Sequence, residues 1–446
     1  MNDAPPPDTP AGPPTTDPRR AARPTRDGVA LILAARRTTR RVALALSAAL
    51  VAAWAAYMAL APQPAEAPQA PTEFAAPEPA APESADGRRA PARPALADAP
   101  LRLAAPAGLI DPVLLADFSA RNGFGVRLAD LAGAGMDIDA GGLADADVVL
   151  APGPVIRALA DEAGLAVLPL HLIPAAAQLD PGMTARAAAF VPDRFQVVPY
   201  AWETIGIGYD RAAVVARLGP SVDMETWSAL FDPASAAKLA GCGLQTLDAP
   251  DSAFPAALAY LGRDPAGARV ADIEAAAASW EAVKGFFTHF ASADIADNLA
   301  AGTVCAAIAP SGQVYQARAA VRAAAGPGPR PDLAFAVPRE GALLRLYLIA
   351  MPDGARAGGA RTQAAAALIE YLLQPEVAAR MTNQRWIANA APRSRAFLRP
   401  EIQQDRLIYP DAAVMGRLTD EPFRSPTAAG LSERLWRLIN ASTRTP

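Results

Sequence analysis

From Leu101 onward, short apolar segments alternate with amphipathic ones, which is typical of an α/β fold. Asp111-Pro112 begins one helical pattern and Gly123 ends it, so this segment has an N-cap, a first-turn proline and a C-terminal glycine. Ala146–Ala151 is typical of a buried strand. The other predicted helices cover 154–163, 223–231, 272–288, 293–301, 313–324, 360–373 and 428–440.

A strand that passes into a helix is predicted between Leu244 and Gly262. Leu244 to Leu247 are mostly apolar, and Asp248 can cap the helix that follows. Pro250 suits a first helical turn, and Gly262 can end the helix.

The first hundred residues lack this alternation and divide into three segments. Residues 1–41 are rich in Pro, Thr, Asp and Arg, and we expect them to be disordered. Residues 42–61 form an uncharged stretch of the length that a transmembrane helix needs. Residues 62–100 form a Pro/Ala/Glu linker, whose extended form would reach roughly 120 Å.

The charges beside the apolar stretch predict its orientation. Four arginines lie between positions 36 and 41, and acidic residues follow the stretch, so the tail is predicted in the cytoplasm and the folded part outside. A cleaved signal is the alternative, because Thr39–Leu44 loosely resembles a twin-arginine motif. Proline follows both candidate cleavage sites, Ala59–Ala61 and Ala65–Ala67, which favours an uncleaved, single-pass anchor in the inner membrane.

Composition excludes several classes of function. The 446-residue chain is 52% hydrophobic and carries a net charge of −4, with no basic run beyond its N-terminal region, so no nucleic-acid partner is expected. Two histidines and two cysteines give no metal-ligand spacing. Gly206-Ile-Gly208 fails the dinucleotide-binding pattern, and Ser311 has no recognisable base nearby. We therefore expect no metal, no cofactor and no enzymatic activity.

A series of short motifs follows from Pro199 to Trp436. They are Pro199–Tyr209, Cys242–Pro265, Leu299–Ala309, Val337–Ala342, Tyr371–Val377, Ile408–Pro410 and Arg434–Trp436. In order and residue type they resemble the motifs of the periplasmic polyamine (putrescine/spermidine) binding proteins of ABC importers. The resemblance implies a two-lobed type II periplasmic-binding-protein fold, with a ligand cleft between the lobes and an ABC permease or other membrane complex as partner. Lobe 1 would comprise about 101–203 and 326–386, and lobe 2 about 204–325 and 387–446.

The same resemblance implies a disulfide. Cys242 and Cys305 fall where similar family members carry cysteines, and paired cysteines outside the cytoplasm form disulfides. Two separate buried thiols are the alternative.

The resemblance also assigns ligand positions, most of which carry other residue types here. A diamine needs carboxylates at its ends and aromatic walls along its methylenes. The segments 105–110 and 150–154 lack the family's polar and aromatic residues, and Ile387 replaces a tyrosine. The candidate ligand-binding residues are Asp251, Ser252, Gln313, Arg345, Tyr347 and Trp386. Ser252 replaces one of two paired acids, Gln313 an aspartate, Arg345 an aromatic residue and Tyr347 an aspartate.

Three interpretations follow from these replacements. Losing one partner of a buried charge pair costs about 2–5 kcal/mol, and a micromolar ligand has only about 8 kcal/mol of binding free energy. The chain therefore binds a polyamine through Asp251, Gln313, Tyr347 and Trp386, or binds an anion through Arg345, or has lost its ligand and acts as a sensor or scaffold. Arg345 could equally lie exposed at a cleft rim, and Gln313 could be structural.

Overall fold

The computed structural model describes residues 99–441, apart from 107, 132–142, 192, 194, 325–329, 354–358 and 423–425. The predicted tail (1–41), the predicted membrane helix (42–61) and residues 62–98 of the predicted linker lie outside the described residues. Within the described part of the chain, no helix is both long and apolar enough to cross a membrane.

The described residues form a mixed α/β fold. The strands are β1 Leu101–Pro106, β2 Val126–Leu131, β3 Val148–Pro152, β4 Val197–Asp210, β5 Leu244–Thr246, β6 His289–Phe290, β7 Ala306–Pro310, β8 Leu333–Ala336, β9 Ala342–Ala350, β10 Ala388–Asn389 and β11 Leu418–Asp420. The α-helices are α1 Pro112–Asn122, α2 Gly153–Glu162, α3 Pro181–Phe190, α4 Arg211–Leu218, α5 Ser228–Phe231, α6 Pro233–Ala240, α7 Pro250–Tyr260, α8 Val270–Val283, α9 Ile295–Ala301, α10 Ser311–Ala323, α11 Gly359–Leu373, α12 Pro375–Arg385, α13 Pro400–Gln403, α14 Ala412–Met415 and α15 Pro426–Ala441.

Two groups of parallel strands are joined by two long antiparallel strands. The sheet order is β2-β1-β3-β9-β4-β7-β5-β6. Strands β1, β2 and β3 run parallel to one another, as do β5, β6 and β7. Strands β4 and β9 lie between the two groups and pair antiparallel with each other. All nine residues of β9 are buried, as expected for a central strand.

The carboxyl ends of the two parallel groups meet at the middle of β4 and β9. Pro152, which ends β3, is paired with Tyr347 of β9. Pro310, which ends β7, is paired with Ile205 of β4. Ligands of open α/β sheets bind outside the carboxyl ends of the strands, where the strand order reverses. This topology therefore places a candidate cleft at residues 201–205 of β4 and 343–347 of β9.

Most of the predicted helices are confirmed, with boundaries that differ by a few residues. Asp111 caps α1 through the backbone N–H of Val113, and Gly123 ends the helix in the left-handed conformation. The predicted helix 223–231 is wrong over its first half, where the Asp223 side chain accepts from the Glu225 backbone and the Thr226 hydroxyl donates to Glu340. These bonds hold a turn, and only Ser228–Phe231 is helical.

Asp248 does not cap the helix that follows it. Position 249 is the N-cap of α7 and provides no side-chain hydrogen bond. The Asp248 carboxylate instead accepts hydrogen bonds from Trp436 Nε1 at 2.8 Å and Asn440 Nδ2 at 2.9 Å, both on α15. The carboxylate thus fixes the C-terminal helix against α7 and α8, where Trp436 packs edge-on against Trp280.

The predicted disulfide between Cys242 and Cys305 is confirmed. It links the end of α6 to the start of β7 across a sequence separation of 63 residues. In the chain-entropy model, closing such a loop stabilises a protein by about 4 kcal/mol. We expect the Cys242→Ser/Cys305→Ser variant to lose about this much unfolding free energy, measured by urea unfolding under oxidising conditions. Equal stability of the variant and the parent chain would contradict this prediction.

Candidate ligand-binding site

Two side chains of opposite charge face each other at the centre of the candidate cleft. Glu203 of β4 is directly paired with Arg345 of β9, so their side chains lie on the same face of the sheet. Both are buried, at 5% and 6% exposure. Buried charges need partners, because removing an ion from water costs several kcal/mol. The partners of each residue therefore define the chemistry of the site.

Arg345 is neutralised by a carboxylate that follows β11. Its Nε and Nη2 donate to Oε1 of Glu421 at 2.8 and 2.6 Å, and Nη2 also donates to the Ser252 hydroxyl at 3.0 Å. Burial alone would lower the pKa of Arg345, but the attraction and hydrogen bonds of Glu421 raise it overall. Arg345 is therefore a permanent cation, and the alternative in which it lies exposed at a cleft rim is wrong.

Glu203 is held by two uncharged donors. The Tyr347 hydroxyl donates to Oε1 at 2.9 Å, and the backbone N–H of Gly312 donates to Oε2 at 3.2 Å. Gly312 lies in the first turn of the 13-residue helix α10, whose positive end favours a nearby anion. Burial nevertheless raises the pKa of Glu203 and outweighs the lowering by Arg345 and by the two donors.

The close approach of Glu203 to α10 requires glycine at position 312. A Cβ at that position would lie 3.0 Å from Glu203 Oε2, 2.8 Å from Ile387 Cγ1 and 3.2 Å from the carbonyl oxygen of Arg385. The first turn of α10, strand β4 and the end of α12 therefore meet at this residue.

The predicted site residues divide between this cluster and its surroundings. Ser252, Arg345 and Tyr347 belong to the cluster, and Asp251 is half-buried beside Ser252 in the first turn of α7. The Gln313 amide donates to the Ser292 carbonyl at 3.1 Å, and its buried Oε1 accepts no hydrogen bond from the described residues.

Trp386 fastens the end of α12 to α10. Its ring stacks on Tyr315 with centroids 5.6 Å apart and an interplanar angle of 6°, and the Arg399 guanidinium lies 4.4 Å from its centroid. Trp386 is also the one non-glycine residue with a positive φ, 59°, among the described residues. Such backbone strain persists only where neighbouring contacts impose it, so Trp386 fixes the position of Arg385.

Sequence reasoning missed the carboxylates Glu203 and Glu421. Glu203 occupies a variable position within the Pro199–Tyr209 motif, and Glu421 lies outside every motif. The pairing of β4 with β9 brings Glu203 to Arg345, and the pairing of β11 with β9 brings Glu421 there. Neither proximity is visible in the sequence.

One small cavity borders the cluster at Ser252. It has a volume of about 20 Å³, is lined by Ile205, Ser252 and Leu343 among others, and lies on the same face of the sheet. This volume holds about one water molecule. Among the described residues no group of His, Cys, Asp and Glu could hold a metal ion. The site is therefore a buried, charged cluster of side chains.

The family model described as bacterial extracellular solute-binding protein matches residues 114–410, more than half of the chain. The chain belongs to this family. The match includes Glu203, Arg345 and the strands that carry them.

Individual relatives agree with the family assignment. The chain is 30% identical to the putrescine-binding periplasmic protein PotF of Escherichia coli over 264 residues, 59% of this chain and 70% of that one. It is 30% identical to the putrescine-binding periplasmic protein SpuD of Pseudomonas aeruginosa over 250 residues, 56% and 66% of the two chains.

Solved structures show the same fold. The spermidine/putrescine ABC transporter substrate-binding protein PotD of Streptococcus pneumoniae has a TM-score of 0.63 at 17% identity, covering 78% of this chain and all of that one. The Tp0655 (TpPotD) lipoprotein of Treponema pallidum has a TM-score of 0.61 at 21% identity, covering 76% and 98%. The fold is thus a mixed α/β fold that matches periplasmic binding proteins.

Proposed function

We propose that this solute-binding protein delivers a small aliphatic amine to an ABC permease from the outer side of the inner membrane. In this proposal, residues 42–61 tether the chain to the membrane and residues 62–100 are the linker. Two lobes, joined through β4 and β9, enclose the ligand. The ammonium group of the ligand binds the carboxylate of Glu203.

The observation that carries this proposal is the charge balance of the cluster. Two buried carboxylates, Glu203 and Glu421, accompany one guanidinium, that of Arg345. Glu421 takes both short bonds from Arg345 through a single oxygen, and its buried Oε2 accepts no hydrogen bond from the described residues. The cluster therefore has one carboxylate more than its cations, which favours a cationic ligand.

The relatives support the same class of ligand. PotF and SpuD are named putrescine-binding proteins, and PotD is named for spermidine and putrescine. The replaced ligand positions Arg345 and Tyr347 lie beside two buried carboxylates, Glu421 and Glu203. The anion-binding interpretation loses its main support, because the guanidinium of Arg345 is bound to Glu421.

Calorimetric titration of the full-length chain with putrescine, butylamine, 4-aminobutyrate and dicarboxylates tests the proposal. We expect at least one amine to bind with a dissociation constant below about 100 μM, which corresponds to a binding free energy of about 5.5 kcal/mol. We expect the dicarboxylates not to bind. If no amine binds, while a membrane partner is recovered by crosslinking, the scaffold interpretation replaces this one.

A further inference from the structure

A second and larger cavity lies on the opposite face of the sheet from Glu203. Trp202 lines this cavity and precedes Glu203 in β4, and successive side chains of a strand point to opposite faces. Its other walls are α3, the segment that begins with β10 and the segment that includes α14. The volume of about 500 Å³ is that of a small-molecule site. This rear cavity is therefore separate from the charged cluster around Arg345.

The apolar lining of the rear cavity is aromatic and rich in sulfur. The rings of Trp202 and Tyr409 pack edge to face, with centroids 6.1 Å apart and an interplanar angle of 88°. The thioethers of Met183 and Met415 belong to the same lining. Thioether sulfur makes favourable contacts with aromatic rings, and aromatic rings pack well against one another. The lining therefore suits a flat aromatic ring.

Asn389 fixes this lining in place. Its side chain is buried, and its Oδ1 accepts from the Ala391 backbone N–H at 2.9 Å and from the Ser394 hydroxyl at 2.8 Å. Its Nδ2 donates to the Thr382 hydroxyl at 2.9 Å and to the Tyr409 hydroxyl at 3.3 Å. The ring of Tyr409 is thus held in position by the fold itself, which lowers the entropy cost of binding a ligand against it.

Arg395 supplies the hydrogen-bond donors that the rear cavity offers to a ligand. Its guanidinium lies over the ring of Tyr409, 4.2 Å from the centroid, and the residue is exposed. Within the described part of the chain this guanidinium forms no ion pair and donates no hydrogen bond. Its N–H groups are therefore open to an acceptor in the cavity.

The other charges of the lining are already bound to protein groups. Arg186 Nη1 pairs with Asp420 Oδ1 at 2.6 Å. Asp180 caps α3, where its Oδ1 accepts from the backbone N–H of Met183 at 3.0 Å and lies at the positive end of the helix. Arg395 is thus the charge that determines which ligand the cavity favours, and it favours an anion.

We propose that the rear cavity binds an aromatic carboxylate, with its ring against Trp202 and Tyr409 and its carboxylate at Arg395. A guanidinium binds a carboxylate through two parallel hydrogen bonds, and the aromatic and thioether side chains bury the ring. This ligand is additional to the amine proposed for Glu203, and the site does not depend on that proposal.

Calorimetry on the full-length protein with three probes tests this proposal. Indole-3-acetate carries a ring and a carboxylate, tryptophol carries the same ring with a neutral hydroxyl, and hexanoate carries a carboxylate without a ring. We expect indole-3-acetate to bind with a dissociation constant below about 1 mM, and each of the others to bind about 10-fold more weakly or less. No binding of indole-3-acetate, or equal binding of either other probe, overturns the proposal.

Two variants locate the bound indole-3-acetate. Arg395→Met removes the charge, and Ala412→Trp places an indole from α14 into the cavity; each should weaken binding about 10-fold or more. The matched controls are Arg393→Met and Ala413→Trp, at exposed neighbouring positions outside the lining, and they should bind as the parent chain does. Unchanged binding by Arg395→Met or Ala412→Trp, or an equal loss in the controls, overturns the assignment of this ligand to the rear cavity.

Discussion

Arg345→Ala is expected to lower the unfolding free energy of this chain by about 3–5 kcal/mol. The substitution leaves the Glu421 carboxylate buried without the guanidinium that neutralises it, and it removes the hydrogen bond to Ser252. Removing one member of a buried pair costs far more than removing one member of an exposed pair. Urea unfolding of the full-length chain, with the slope compared between variants, measures the loss.

Two variants separate this effect from a general loss of packing. Arg345→Met/Glu421→Leu removes both charges and should lie within about 1–2 kcal/mol of the parent chain, since apolar replacements of buried pairs are often neutral. Arg339→Ala breaks a pair whose side chains are 56% and 46% exposed, and it should cost at most about 1 kcal/mol. Equal unfolding free energies of Arg345→Ala and Arg339→Ala would contradict the conclusion that the buried Arg345–Glu421 pair stabilises the fold.

Glu203→Gln is expected to weaken binding of the amine ligand about 30-fold or more. Glutamine has nearly the same shape, and its single oxygen can still accept one of the two hydrogen bonds, from Tyr347 or from Gly312, but it offers no charge to an ammonium group. Glu433→Gln removes a charge from an exposed position on α15 and is the matched control. Binding that falls equally in both variants would indicate a long-range effect of net charge.

The raised pKa of Glu203 predicts the pH dependence of binding. Burial favours its protonated form in the free protein, whereas an ammonium ligand binds the carboxylate. Binding therefore releases a proton when the pH lies near or below the raised pKa, and affinity falls as the pH falls through that pKa. Glu203→Gln should remove this dependence. An affinity of the parent chain that rises as the pH falls would contradict the assignment.

Local sequence patterns predicted most of the helices and strands, because residues within or next to each element determine where it begins and ends. The aspartate, proline and glycine around α1 determine that helix locally, and the family motifs placed Cys242 and Cys305 in one disulfide. Asp248 shows the limit of local reasoning. A carboxylate before a helix suits a cap, but the indole of Trp436, 188 residues away, binds it instead.

The site was less predictable because its charges are balanced over long distances in sequence. Arg345 was found because it occupies a ligand position that the family resemblance assigns, whereas its partner Glu421 lies 76 residues later. Glu203 lies 142 residues before Arg345, and only strand register brings them together. The arginine therefore suggested an anion site until the carboxylates that balance it were located.

Calorimetry of the parent chain and Glu203→Gln, in two buffers of different ionisation enthalpy, tests most directly whether Glu203 binds the amine. Putrescine and 4-aminobutyrate are the ligands. We expect saturable binding of at least one of them to the parent chain, with an affinity that falls as the pH falls and, over the pH range of that fall, a buffer-dependent heat that reports proton release. For Glu203→Gln we expect weak binding without proton release. Equal affinity of the two proteins, or no binding of either ligand to the parent chain, would contradict the claim that Glu203 holds the amine.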